Sequence, residues 1–407
     1  MSFMINIQPY LESEYIKKTH YSNRIKCKDL EDVENGYTII RYNKSSIDMK
    51  DIDNATTLGL VRSVVISKEN KLVCYSPPKS IQWEDFQTSE HYTSCVPIIE
   101  EYIEGTMINM FWDEYDQAWE IATKNTIGCK KSFLYTDFFQ LPSTPPKTFE
   151  DMFLEAYYYN ALHYIHFDKT KCYSFVLQHP ENRIVSYVSE PRIYLIACYK
   201  IENNNVIIDD LSDIKFQIIN LVNEKKYPNV IRFPIKYEYS TNVEDFTNHP
   251  DYNVMGVVIK NPKTGYYSKI RNNTYMNVKK MIGNSPSLLF RFVKLLKENL
   301  LNEYISLFPE HHIHFYQYQS FINNYVVMLE SYYHHIYILK TDLNIYFTKD
   351  KKHHVNMVYH LKQLHKKYRA KKSEGGNSYR KVSVEDYIVN MDIDNLYYAL
   401  LQYHHFE

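Results

Sequence analysis

The densest chemical potential in this 407-residue chain lies between Lys351 and Lys372, where eight Lys or Arg occur with no Asp or Glu. On a helix Lys362, Lys366 and Arg369 follow i, i+4, i+7 and form one stripe, a spacing that can track the phosphates of an RNA or DNA backbone. A solvated helix face balancing acids elsewhere fits the same pattern. The opposite sign dominates from Ser80 to Thr123, which holds ten acidic residues and no Lys or Arg. Strand alternation there puts Glu100, Tyr102 and Glu104 on one face, which would repel a polyphosphate unless Lys124 or more distant cations cover it. The histidine pairs His311-His312, His334-His335 and His353-His354 are adjacent rather than helically spaced, and no Cys or carboxylate joins them at ligand spacing. No metal site is expected from them.

The elements that must position these groups can be read from composition and periodicity. Charge is nearly balanced, with 47 Lys and Arg against 48 Asp and Glu, so any charged partner must be met by a local patch. Forty tyrosines and only nine glycines accompany many Asn, Lys and Ile, the signature of AT-rich codons, so the aromatic excess is not taken as a stacking platform. Scarce glycine makes Gly105, Gly128 and Gly256 landmarks for positive φ or close backbone approach. The six cysteines are scattered without a CxxC pair, as expected of reduced, buried thiols. Without a long apolar run or a basic-plus-apolar start, the chain is expected in a cytosol-like compartment and off the membrane. Trp83, Trp112 and Trp119 fall in strand-like segments and are read as sheet or core residues.

Residues 59 to 124 read as successive β-branched and aromatic strands. Thr148 to Phe167 has apolar residues at helical spacing behind a Thr cap. Strands return as YSFVLQ, RIVSYV, RIYLIACYK and NNVIIDD, then a helix around DLSDIKFQIINLVNEKK, then the pair YNVMGVVIK and YYSKI joined by NPKTG. From Tyr275 the pattern is helix after helix, with SEGGNSYRK expected as a mobile loop. This predicts an antiparallel α+β domain over 1–271 and an all-α domain over 272–407.

The phrases VRSVVIS with YSPPKSI, EEYIEGTMINMFWD, ATKNTIG, FVLQHPENRIVSY, MGVVIK and SKIRNNTY occur in an order that resembles the nucleotidyltransferase motifs of covalent ligases. The resemblance is greatest to the bacteriophage-type RNA ligase 1 family and covers roughly Leu58 to Tyr275. It implies an antiparallel, ATP-grasp-like ligase domain with a helical C-terminal domain. In that family a lysine in a KxDG turn attacks ATP to form lysyl-AMP, which is passed to an RNA 5′-phosphate. Carboxylates of two later motifs bind sugar and Mg²⁺, and lysines of the last motif hold phosphates.

The chain departs from this pattern where the chemistry lives. Tyr102 stands at the lysine position, and no Lys or Arg lies between Lys79 and Lys124 to replace it. Val176 and Met255 stand at the two motif glutamates. The resemblance carries nucleotide or phosphate contacts onto Arg62, Lys79, Glu104, Lys124, Arg183, Lys260, Lys269 and Arg271, with Asn182 beside them. Losing a covalent nucleophile costs about a millionfold, ~8 kcal/mol, whereas a charge-assisted phosphate contact supplies about 1.5–3 kcal/mol. The expected protein is therefore an inactive RNA-ligase-like homologue that binds RNA, another single-stranded nucleic acid or a protein, needing no cofactor. One alternative is an active ligase using ATP and Mg²⁺ with Tyr102, Lys79 or Lys124 as nucleophile. The other is a structural subunit of a particle or complex. The codon bias suits a large DNA virus, hence host cytoplasm or virion.

Overall fold

The computed structural model describes residues 4–7, 10, 25–30, 36–45, 48, 50–130, 146–224, 227, 229–347, 352–373 and 383–404. Two compact units are present, the first ending at Lys280 and the second starting at Met281.

The first unit is built on three antiparallel sheets, as expected for an α+β chain. Strands β1 (Met4–Asn6), β7 (Thr106–Asp113), β8 (Ala118–Ala122), β9 (Lys171–Gln178), β10 (Arg192–Glu202) and β11 (Asn205–Ile208) pair in the order β1-β11-β10-β9-β7-β8. Strand β9 is central and covered on both faces, which is why KCYSFVLQ reads as a nearly continuous apolar run. A second sheet joins β12 (Lys236–Tyr237), β6 (Ile98–Glu101), β13 (Gly256–Lys260) and β14 (Tyr267–Arg271) in that order. The third is β2 (Ile25–Leu30), β3 (Tyr37–Tyr42), β4 (Val64–Ile66) and β5 (Leu72–Tyr75).

One core gathers Ile39, Val64, Cys74, Phe111, Tyr199 and Val257 from all three sheets. A second lies where helices α1 (Phe149–Tyr159) and α2 (Ser212–Asn223) cover the six-stranded sheet, with Phe153, Ala156, Ile214, Phe175 and Leu195 buried together. Full burial of each large apolar side chain contributes about 1.5–3 kcal/mol.

Several expected elements differ from those observed, each for a local reason. RIVSYV is not a strand, because the N–H groups of Val185 and Ser186 donate to the Glu104 carboxylate instead of a ladder. Helix α1 starts behind the Thr148–Asp151 capping box but stops at Tyr159. Asn160 donates to the carbonyl of Ala156, and Ala161 turns left-handed at φ 55°. Of LGLVRSVVIS, only Val64–Ile66 is strand, and Leu58–Leu60 is a 3₁₀ turn. The NPKTG turn forms, with the Asn261 side chain accepting from Lys263 and Thr264 N–H.

The second unit is helical in its described residues. Helix α3 (Asn273–Ile282) straddles the unit boundary; α4 (Leu288–Lys297), α5 (Leu301–Leu307), α6 (His312–Tyr333), α7 (Lys352–Ser373), α8 (Val384–Val389) and α9 (Ile393–Tyr403) follow. Helices α4 and α5 are separated where Asn299 adopts φ 57°. Apolar residues of α4, α6, α7 and α9, including Phe292, Phe321, Leu361 and Leu400, form its interior. The expected SEGGNSYRK loop lies largely outside the described residues. Among the described residues no helix is long and apolar enough to cross a membrane.

Glycine carries two of the closest backbone approaches. A Cβ on Gly256, at φ +133°, would lie 2.0 Å from the Ile270 carbonyl oxygen, and one on Gly105, at φ +150°, would lie 2.5 Å from that of Leu177. Gly256→Ala should lower unfolding stability by roughly 2–3 kcal/mol through strain at this backbone. At Gly128, where the nearest atom is a flexible Lys130 carbon 3.6 Å away, alanine should cost only about 1 kcal/mol. Urea unfolding midpoints test this ordering, and equal midpoints would contradict it.

Candidate nucleotide site

The register of the four-stranded sheet decides which side chains face each other. Val258 pairs with Glu100 on one side and Lys269 on the other, while Glu100 also faces Lys236 on β12. One row across the sheet is therefore Lys236, Glu100, Val258, Lys269. The next row on the same face is Ile98, Lys260, Tyr267. Pairing continues past β6 through the Tyr102 N–H, which donates to the carbonyl of Gly256 at 3.0 Å, and Gly256 in turn pairs with Arg271. Across the sheet, the phenol of Tyr102 reaches β14. The Lys269 ammonium donates to its oxygen at 2.9 Å and lies 4.2 Å from the ring centre.

This face lines a cavity of about 1110 Å³ within the first unit. Of the residues singled out from sequence, Arg62, Tyr102, Glu104, Lys124, Val176, Met255, Lys260 and Lys269 all line it. Lys79 and Arg271 do not line it but lie near enough that their charges act on its lysines and on Tyr102. Arg183 is not brought in: its Nε donates to the Val185 carbonyl and its guanidinium sits 5.8 Å from the Tyr187 ring centre. Asn182 donates to the Thr106 hydroxyl at 3.0 Å. Sequence reasoning missed Arg41, Lys236 and Lys279 among the lining residues and Lys44 just beyond them. None falls in a motif phrase, and Lys236 belongs to a two-residue strand with no periodicity to read.

The expected acidic face is corrected by the geometry. Glu100 forms an ion pair with Lys260, its diagonal neighbour across the register. Glu104 does not share the face at all, because β6 ends at Glu101 and the chain turns inward before Gly105. Its carboxylate accepts from Val185 N–H at 2.6 Å, Ser186 N–H at 3.2 Å and the Ser186 hydroxyl at 3.0 Å. Burial pushes the Glu104 carboxyl up, and these three bonds oppose the shift. Glu101 accepts from Ile235 N–H at 3.4 Å, Asp209 pairs with Lys171 at 2.5 Å and Asp210 accepts from the Ser212 N–H and hydroxyl. Every carboxylate among the described residues lining the cavity therefore has a partner. Near the Val176 and Met255 strands, Glu181 sits in a 3₁₀ turn paired with Lys147, and Asp251 lies in the loop before β13.

The cations are crowded. Burial, then Arg62, Lys44, Arg41 and Lys79, bring the Lys124 ammonium down to about 8. Lys79 is lowered by burial and by Lys269, Arg271 and Arg62, and its Nζ donates to the Ser80 carbonyl. At both lysines the neighbouring like charges add to the effect of burial, and a bound anion would oppose them. Burial alone would raise Tyr102, but the adjacent Lys269, with Arg271 and Arg62, outweighs it and brings the phenol to about 8. An ordinary tyrosine titrates near 10.

In the second unit Lys362, Lys366 and Arg369 are exposed and line a shallow depression with Tyr337, His365 and Ala370. The Tyr337 and His365 rings stack at 3.9 Å. Of the paired histidines, His311 stacks on Tyr304 and His335 meets the Tyr346 hydroxyl at 3.3 Å. Among the described residues no three His, Cys, Asp or Glu converge on a possible metal position.

Subtracting the absorbance titration of Tyr102→Phe from that of the intact protein should isolate one phenolate appearing near pH 8. In Lys269→Met the same step should move above the ordinary tyrosine range, since burial is then less opposed. Because the folded value lies below the unfolded one, Tyr102 adds stability as pH rises from about 8 toward 10 and loses it as pH falls through about 8. A difference step unmoved by Lys269→Met would refute the assignment.

No family model matches the chain. Over 104 residues it is 27% identical to an RNA ligase of Rhodothermus phage RM378, a match covering 25% of this chain and 23% of that protein, so the match spans about a quarter of the relative's length. Among solved structures, a glutamate-to-alanine mutant of Naegleria gruberi RNA ligase with ATP and Mn aligns with TM-score 0.35 and 13% identity, covering 58% of this chain and 70% of that one. The same ligase with PPi aligns with TM-score 0.31 and 11% identity, over 45% and 51%. Over about a quarter of its length, then, the chain is similar in sequence to a phage RNA ligase.

Proposed function

We propose that this chain is a non-adenylylating RNA-ligase homologue that holds a nucleotide or the 5′-phosphate of a nucleic acid in the cavity of its first unit, acting as a binding component. The observation that carries this reading is the pairing of Tyr102 with Lys269. The turn where the ligases place a nucleophilic amine presents a phenol, and the nearest ammonium is spent on that phenol. Lys260 is likewise engaged by Glu100. What is left is a half-buried group of cations around Arg62 and Lys124, suited to a phosphate and lacking the set of groups that would activate it.

A second reading, an active ligase with an atypical nucleophile, is favoured by one feature: Tyr102 and Lys124 both titrate near 8 and so offer some nucleophile at neutral pH. Incubation with α-labelled ATP and Mg²⁺ or Mn²⁺ separates the two. Denaturing gels should show no labelled protein; a band mapping to Tyr102 or Lys124 would establish the second reading instead.

Noncovalent binding should depend on pH with one sign. As pH rises through about 8, Lys124 loses its positive charge and Tyr102 gains a negative one, so both changes weaken anion attraction. ATP affinity should fall roughly tenfold between pH 7 and 9, the worth of about one charge-assisted contact. The double variant Lys124→Met, Tyr102→Phe should show a flat profile. An undiminished slope in that variant would place the titrating groups elsewhere.

The stripe on α7 supports a nucleic-acid contact in the second unit, because three exposed cations surround a stacked aromatic pair. Single-stranded RNA binding should weaken with salt, and replacing Lys362, Lys366 and Arg369 with Ala should reduce the log-log slope by about 2, at ~0.7 per phosphate. An unchanged slope would leave the stripe a solvated face. A viral setting, in host cytoplasm or virion, accords with the phage relative.

A further inference from the structure

Resting on the reading of this cavity as a nucleotide site, we infer that it takes its polyphosphate ligand free of divalent metal, so that Mg²⁺ competes with the protein for the ligand instead of bridging the two. The donor set does not fit a hard cation. Mg²⁺ requires near-octahedral oxygen ligation and is ordinarily held through one or two carboxylates plus the phosphates themselves. At the two places where the ligase pattern supplies carboxylates, this cavity is lined by Val176 and Met255, which offer an isopropyl group and a thioether. The acids that do line it are committed. Glu100 is neutralised by Lys260, and Glu104 is turned into the protein, where two backbone N–H groups and a hydroxyl hold it. Freeing either would leave a partly buried cation or a pair of buried amides without a partner.

The charge that a metal would neutralise is met by protein cations instead. Among the described residues, eight Lys or Arg line the cavity against five Asp or Glu, all five of which are partnered. Burial and nearby cations, Arg62 among them, lower the affinity of Lys124 and Lys79 for protons, and a bound polyanion would relieve that crowding. Free ATP carries about two more negative charges than its Mg²⁺ complex and so gains more from this surface. The metal complex offers it less charge, and its bound waters meet the apolar Val176 and Met255.

The full-length protein can be titrated calorimetrically with ATP, and separately with inorganic tripolyphosphate, at one ionic strength in either EDTA or excess Mg²⁺. Binding should be roughly tenfold tighter in EDTA. Lys124→Met should reduce affinity in the EDTA arm more than in the Mg²⁺ arm. Affinity that is equal in both arms, or greater with Mg²⁺, overturns the metal-free mode while leaving the nucleotide site intact. No binding in either arm overturns the nucleotide reading itself, and the metal-free mode with it. As a converse check, Val176→Glu adds a carboxylate and should shift preference toward the Mg²⁺ arm, its folding verified by its unfolding midpoint.

Discussion

A lysine ammonium donating to a tyrosine phenol joins the end of β6 to β14 at the wall of the first unit's cavity. The Tyr102 N–H donates to the Gly256 carbonyl on β13, which sets the residue beside β14 and Lys269. Gly256 is held there by its own constraint, since any Cβ would meet the Ile270 carbonyl. The phenol then inherits the field of Lys269, Arg271 and Arg62, which overcomes the effect of burial on its proton.

The same sheet disposes of the negative charge that its sequence carries. Glu100 faces a diagonal lysine, and Glu104 is removed from the face because β6 ends before it. Ten acids between Ser80 and Thr123 read in a row suggest repulsion of phosphate, yet of the three that reach the cavity Glu100 is paired with Lys260, and Glu101 and Glu104 accept from backbone N–H groups. Cations outnumber acids in the lining among the described residues. The opening is lined by crowded cations, with the apolar Val176 and Met255 at two positions, and the proposed binding of a polyanion rests on that lining.

The two units carry different surfaces. In the first, side chains of the sheets line a cavity. In the second, α7 exposes Lys362, Lys366 and Arg369 around the stacked Tyr337 and His365, and the proposed nucleic-acid contact rests on that stripe.

Much of this was legible from residue order. Strand periodicity located β6 to β11, β13 and β14, because β-branched and aromatic runs bounded by turn residues have few other uses. The helical second half followed from apolar spacing, and Arg62, Lys124, Lys260 and Lys269, picked out by their motif phrases, line one cavity. The strands Tyr37–Tyr42 and Lys236–Tyr237 were not legible, nor was the irregular course of residues 183–188, since each depends on a partner far away in sequence. Sequence by itself determined which functional groups exist here, including a phenol at 102, an isopropyl group at 176 and a thioether at 255. Only the tertiary structure decided which of the remaining charges are free, because a charge's effect depends on burial and on its nearest neighbours. Those neighbours were set by cross-strand register: Lys260 cancels Glu100, Lys269 claims Tyr102, and Lys236, Arg41 and Lys279 arrive at the cavity unannounced.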